Sequence, residues 1–146
     1  MGLPVLQPGL RLVDGADINS ISNLLNTDGY YYSTWGGAGG TLTTTQFFPS
    51  NATENYAIST GGATPTFTTP TAAQIIASQP NWNVGQSQFV RVLNTNSGTL
   101  TLAGGTGVTI SGTATVATNT SRDFLVTYTS STAQTITIQN VGSATV

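Results

Sequence analysis

Gln88-Phe-Val-Arg-Val-Leu93, Thr99-Leu-Thr-Leu102, Val108-Thr-Ile110, Thr113-Ala-Thr-Val116, Phe124-Leu-Val-Thr-Tyr128 and Thr135-Ile-Thr-Ile138 share one pattern. Apolar residues alternate with threonine or another polar residue, and clusters of Gly, Asn and Ser separate the runs, as in Asn94-Thr-Asn-Ser-Gly98. Period two with β-branched residues predicts half-buried antiparallel strands. Short strands at regular spacing predict a sandwich or barrel. The expected fold is therefore all-β, a mainly antiparallel β-sandwich or jelly-roll-like barrel. One or two short helices and an extended N-terminal arm complete it.

The helices follow from the sequence upstream. Thr69-Pro70-Thr71-Ala-Ala-Gln-Ile-Ile-Ala-Ser78 reads as a helix near 70–78. Either Thr69 caps it with Pro70 at the first helical position, or Thr71 and Gln74 form a capping box. Pro80 ends it in both cases. Between 30 and 69 the chain is aromatic, Gly-rich and Thr-rich, with strands expected at 41–47 and 55–59. Ile18, Ile21, Leu24 and Leu25 have helical spacing behind Asp17, which suits an N-cap, so a helix is expected near 17–25. Residues 1–13 carry Pro4 and Pro8 among Val5, Leu6, Leu10, Leu12 and Val13 and read as an extended arm, either a first strand packed on its own domain or a segment laid on a neighbour. Fully extended, it would span about 40 Å at ~3.3 Å per residue. The domain organisation is thus an arm over 1–13 and a single β-rich domain over 14–146.

Composition excludes much chemistry. Of 146 residues only 5% are charged: five acids and three arginines, Arg11, Arg91 and Arg122, with no Lys, His or Cys. Three cations fall short of the roughly 6–10 phosphate contacts of DNA binders, so no nucleic acid is expected. Without Cys there is neither a disulfide framework nor thiol chemistry. Without His or Lys, no Ser or Thr has the usual activating base, and an enzyme is not expected. No apolar run approaches the 18 or so residues of a membrane span, so no membrane partner is expected. The first residues lack a basic n-region, and Pro4 and Pro8 break any signal-like apolar run.

Local motifs have plainer explanations. Gly104-Gly105-Thr-Gly107-Val-Thr109 begins like a calcium-binding β-roll repeat, but Thr109 stands where that repeat needs Asp, and a hairpin turn is expected instead. Gly36–Gly40 lacks the Lys and Ser/Thr of a phosphate-binding loop and reads as a flexible loop. Asp14, Asp17 and Asn19 could suit a hard cation, but Asp17 is more simply a helix cap; no metal and no cofactor are expected. Asn51-Ala-Thr53 and Asn119-Thr-Ser121 match glycosylation sequons that a chain so rich in Asn and Thr contains by chance. Tyr30, Tyr31, Tyr32 and Trp35 suit a core, a subunit contact or a sugar platform.

The stretch from about 64 to 140 resembles the head-decoration, or cement, proteins of tailed bacteriophages. The resemblance runs through Thr69-Pro-Thr-Ala-Ala-Gln-Ile-Ile-Ala, Val84-Gly85 and Phe89-Val-Arg-Val-Leu-Asn94-Thr. It continues through Gly98-Thr-Leu-Thr-Leu-Ala-Gly-Gly-Thr-Gly-Val-Thr-Ile-Ser-Gly112-Thr-Ala-Thr-Val-Ala117 and Thr120-Ser-Arg-Asp-Phe-Leu-Val126. It covers about half the chain and carries over no catalytic residue. It implies a small β-sandwich, often trimeric, on capsomer junctions. The expected function is structural: a capsid decoration protein on the outer head surface that clamps adjacent capsomers. Its expected partners are the major capsid protein and copies of itself in a homotrimer. It would be made in the host cytoplasm without a signal peptide. The lysine-free strands fit this, because soluble β proteins usually protect sheet edges with lysine. Candidate capsid or subunit contacts are Val5, Leu6, Leu10, Arg11 and Leu12 in the arm, with Tyr30, Tyr31 and Trp35. The alternative is a tail or fibre component that binds host glycan through the Tyr30–Trp35 region. A carboxylate-dependent glycan hydrolase is a weaker third reading.

Overall fold

The computed structural model describes residues 5–7, 10–11, 30–48 and 54–145, with side chains at 33–48 and 57–145. Near the N-terminus, β1 (Val5–Gln7) and β2 (Leu10–Arg11) pair antiparallel, Val5 opposite Arg11 and Gln7 opposite Leu10. The stretch expected to run straight therefore doubles back, and its two strands flank Pro8-Gly9, a turn-favouring dipeptide. The helix expected near 17–25 lies outside the described residues.

From residue 30 onward the chain alternates between two sheets. β3 (Tyr30–Gly36), β5 (Glu54–Thr60) and β7 (Ser87–Asn94) lie side by side in the larger sheet. β4 (Gly39–Thr41), β6 (Thr66–Thr68) and β8 (Leu100–Ala103) lie side by side in the smaller one. The short helices α1 (Thr44–Phe47) and α2 (Ala72–Ser78) occupy the returns from β4 to β5 and from β6 to β7. The chain thus winds through both sheets and comes back to the first in the same direction. Consequently β3–β5, β5–β7, β4–β6 and β6–β8 are all parallel.

The remaining strands close the sheets differently. β9 (Val108–Ser111) joins the far edge of the larger sheet, and β10 (Thr115–Val116) pairs antiparallel with β8. β11 (Thr120–Ser130) and β12 (Thr135–Thr145) form a long antiparallel hairpin, and β11 also runs antiparallel to β7. The strand orders are β3-β5-β7-β11-β12-β9 and β10-β8-β6-β4.

The protein is mostly β with two short helices among the described residues, and every one of the six alternating runs contains a strand. The expectation of mainly antiparallel pairing is corrected to mixed sheets. Parallel neighbours need a long crossover. Here the crossover between β5 and β7 is a strand of the other sheet plus a helix. The strand expected over 41–47 is corrected as well, since it ends at Thr41 and Thr44–Phe47 is helical. A capping box decides this. Thr43 Oγ1 accepts from Gln46 N at 3.2 Å, and Gln46 Oε1 accepts from Thr43 N at 3.0 Å. Two backbone donors are satisfied at once, which outweighs the strand preference of consecutive threonines.

The same box starts α2. Thr71 Oγ1 accepts from Gln74 N at 3.2 Å, and Gln74 Oε1 accepts from Thr71 N at 3.0 Å. Of the two caps open from sequence, Thr71 with Gln74 is the one formed. Thr43-Thr-Thr-Gln46-Phe47-Phe48 and Thr71-Ala-Ala-Gln74-Ile75-Ile76 are copies of one pattern, each opening the helix of its own winding. Thr69 instead receives the Gly105 N–H at 2.9 Å. The Gly104–Gly107 segment, expected as a hairpin turn, is corrected to a crossing loop that takes the chain from β8 in the smaller sheet to β9 in the larger. Its Thr106 carbonyl accepts from Ala72 N at 2.9 Å at the start of α2.

One core joins both sheets. Val90, Val92, Phe124, Val126, Ile136 and Ile138 come from the larger sheet, and Phe67, Leu100, Leu102 and Val116 from the smaller. Each such side chain contributes about 1.5–3 kcal/mol on full burial. Aromatic rings run through the core in contact order Phe67, Trp35, Phe47, Phe48, Trp82 and Tyr128, with centroids 5.0–6.3 Å apart. Where β7 leaves for β8, a buried polar knot holds the turn. Asn94 Nδ2 donates to Gly98 O at 2.9 Å and Val116 O at 2.8 Å. Asn94 Oδ1 accepts from Asn96 N at 2.9 Å and Asn96 Nδ2 at 2.8 Å. Asn96 Nδ2 also reaches Ser59 Oγ at 2.7 Å, and Asn96 Oδ1 accepts from Gly62 N at 3.0 Å, so the knot ties the third winding to the second. Gly98 lies so close to Ala63 O that a Cβ would collide with it.

Candidate functional site

The two faces of the larger sheet differ in an unusual way. Alternation along β7 puts Val90, Val92 and Asn94 inside and leaves Phe89, Arg91 and Leu93 outside. On β11 the inside positions are Phe124, Val126 and Tyr128, and Leu125 lies directly across from Phe89. Ile58 of β5 lies across from Leu93. Phe89 is 46% exposed, and Leu125, Leu93 and Ile58 are half-buried. Val141, 48% exposed, sits at the bulge in β12 where Asp123 pairs with Gly142 and Phe124 with Asn140. The outer face thus carries apolar pairs where a solvated sheet normally carries polar ones.

A charge pair lies between the two apolar pairs. Arg91 and Asp123 are cross-strand partners. Arg91 Nε donates to Asp123 Oδ1 at 2.5 Å and Nη2 to Oδ2 at 2.7 Å, a bidentate fork. With side chains 44% and 28% exposed, the pair adds only about 0–1 kcal/mol in water. Within the pair each charge neutralises the other, so covering these two side chains would not bury a lone charge. At the end of the same sheet, Thr120, Arg122, Ser143 and Thr145 line a cleft of about 250 Å³. The Arg122 Nε is buried there and meets no acceptor among the described residues.

The residues singled out from sequence are placed unevenly. Trp35 is corrected from a contact candidate to a core residue. Its exposure is 0%, its ring packs against Phe67 and Phe47, and its Nε1 donates to Gln46 O at 3.1 Å. The reason is strand parity: Ser33 and Trp35 both occupy the core side of β3. Trp35 therefore cannot stack on a glycan or touch a capsid. Tyr30 and Tyr31 begin β3, in register with Glu54 and Asn55; their side chains lie outside the described residues. Val5, Leu6, Leu10 and Arg11 are on β1 and β2, again with backbone alone described. Leu12, Asp14, Asp17 and Asn19 lie outside the described residues. No group of three His, Cys, Asp or Glu side chains gathers among the described residues.

Phe89, Leu93 and Leu125 were not singled out from sequence as contacts. Their signal was present, because β7 is apolar at both parities. Edge protection becomes clear for the smaller sheet. The smaller sheet ends in strands of three and two residues, β4 and β10, and such short edges offer little to an intruding strand without any lysine.

The described residues thus form a strand-rich domain of two mixed sheets with an apolar outer face on the larger one. Comparison with protein-family models, with curated proteins and with solved structures returns no significant match.

Proposed function

We propose that this chain is a capsid decoration protein, a structural virion component that coats the outer surface of a phage head and joins neighbouring capsomers. The observation that carries this reading is the apolar outer face of the larger sheet, in which Arg91 is paired with Asp123. Protein surfaces that avoid association rarely place Phe and Leu side by side on an open sheet. The resemblance over about 64 to 140 supplies the capsid as setting and the homotrimer as assembly state. In this reading the two sheets form the β-sandwich that the resemblance implies, and the outer face is the contact between copies.

Light scattering of the isolated protein should then give about three times the chain mass, since closed cyclic symmetry buries one patch repeatedly. Replacing Phe89 and Leu125 together by serine should leave the circular dichroism spectrum unchanged and weaken self-association by at least about thirtyfold, the equivalent of ~2 kcal/mol. A monomer both free and on particles would overturn the assembly reading. Images of virions with and without the protein test the capsid reading directly: extra mass must appear on the shell exterior, and mass on tail or fibre alone would overturn it.

Salt dependence follows from the charges. Arg91 is neutralised by Asp123, so few cations remain to pair with a shell. Capsid affinity should change by less than about tenfold between about 50 and 500 mM salt, because apolar burial is not screened. A hundredfold fall would transfer the interface to Arg122 and Arg11.

A further inference from the structure

The loop from α2 to β7, with the first residues of β7, forms a second surface. Gln79, Asn81, Trp82, Gln86, Ser87 and Gln88, with Pro80, line a cleft of about 400 Å³. That volume lies within the range of small-ligand sites, roughly 300–1,000 Å³. We propose that this cleft binds a neutral saccharide.

The lining chooses the ligand. It contains four side-chain amides, those of Gln79, Asn81, Gln86 and Gln88, and no charged side chain. Gln79 Nε2 donates to Phe48 O at 2.9 Å, which leaves its Oε1 as an acceptor. Gln86 Oε1 accepts from Asn83 N at 2.7 Å, which leaves its Nε2 as a donor. The Asn81 and Gln88 side chains make no hydrogen bond among the described residues. Trp82 is nine-tenths buried, and its indole N–H meets no acceptor among them. A charged ligand finds no counter-charge here. An apolar ligand would strand the amides, at a cost of about 1–3 kcal/mol for each group left unpaired. Adjacent sugar hydroxyls donate and accept together, as the amides do, and a sugar's C–H face suits the exposed Pro80, with the small exposed part of Trp82 beside it.

The cleft is also pre-shaped. The Trp82 ring is held between Phe48 and Tyr128, at centroid distances of 5.0 and 5.4 Å. Gly85 N donates to Tyr128 O at 2.8 Å, and Tyr128 N donates to Gln86 O at 3.1 Å, so the loop is tied to β11 from both directions. A peptide is disfavoured, because strand addition needs a free edge of several residues and only Ser87 and Gln88 of β7 lie beyond its register with β5.

The two tryptophans make the test selective. Trp35 is fully buried and its indole N–H is bonded to Gln46 O, so it serves as an internal reference. In ¹H–¹⁵N spectra of the full chain, maltotriose, cellotriose and triacetylchitotriose are each titrated to about 10 mM, ten times a ~1 mM dissociation constant. At least one should move the Trp82 indole signal saturably while the Trp35 signal stays. Gln88→Ala and Asn81→Ala, both at exposed or half-buried positions, should each weaken that binding at least about fivefold without altering the circular dichroism spectrum. The proposal is overturned if no sugar moves the signal, if both variants bind undiminished, or if only a neutral tripeptide control does so.

Discussion

Asn94→Ala should lower the unfolding free energy by about 3–5 kcal/mol, read as a fall in the urea midpoint at unchanged slope. The Asn94 side chain is fully buried and makes four hydrogen bonds, two as donor and two as acceptor. Removing it leaves Gly98 O, Val116 O, Asn96 N and Asn96 Nδ2 short of a partner in the interior. Each orphaned group costs about 1–3 kcal/mol, and relaxation returns part of the sum. Domains of this size are stable by only about 5–15 kcal/mol, so the variant should be marginal. Asn94→Asp should be worse at neutral pH. It keeps the acceptor but turns the donor towards Gly98 O and Val116 O into a second acceptor, and it buries a charge. Burial raises the new carboxyl's pKa above its unfolded value of about 3.9. The folded state then binds more protons than the unfolded state above that value, so stability should increase as pH falls from 7 towards 4. A loss under about 1 kcal/mol for Asn94→Ala would mean that the knot is open to water.

Trp35→Ala should cost a similar 3–5 kcal/mol, the usual range for truncating a buried large aromatic. The indole fills the space between Phe67 and Phe47 and supplies the donor for Gln46 O. Trp35→Phe should cost much less, because the ring packing survives and chiefly the hydrogen bond is lost, about 0.5–1.5 kcal/mol. The pair of variants separates the two roles argued for this residue from sequence. A surface tryptophan that touches a capsid or sugar could be truncated within about 0.5 kcal/mol of wild-type stability and would lose binding instead. The chemical denaturation midpoint of the isolated protein decides between them.

The strands were legible because their signal is local. In the runs from Gln88 to Ile138 most inward residues are Val, Phe, Ile, Leu or Tyr and most outward ones are Thr, so period two stands out. Helix α2 was legible for the same reason, through Thr71, Gln74 and Pro80. Helix α1 carries the same Thr-x-x-Gln start and was hidden by the threonine run around it. Aligning Thr43–Phe48 with Thr71–Ile76 would have exposed both the helix and the repeated winding. The outer-face contact was half legible. Phe89 and Leu93 announce an apolar second face on β7, but alternation alone cannot say which strand lies beside them.

Sequence alone determined the strands of the last 60 residues, the helix near 70–78 with its end before Pro80, and the absence of His, Lys and Cys side chains. Tertiary structure decided the rest. A half-solvated parallel strand and a half-solvated antiparallel strand show the same alternation, so strand direction depends on where the chain goes between them. Here it goes through the other sheet and a helix before returning. Parity within β3 sent Trp35 inward, whereas a tryptophan beside three tyrosines reads from sequence as core or contact first and as a platform second. The Asn96–Ser59 bond of the knot, the Phe89–Leu125 pair and the Phe48–Trp82–Tyr128 stack all join residues 30 or more positions apart. Contacts of that kind arise only when windings stack, because the energy that holds them comes from excluding water between segments the sequence lists far apart.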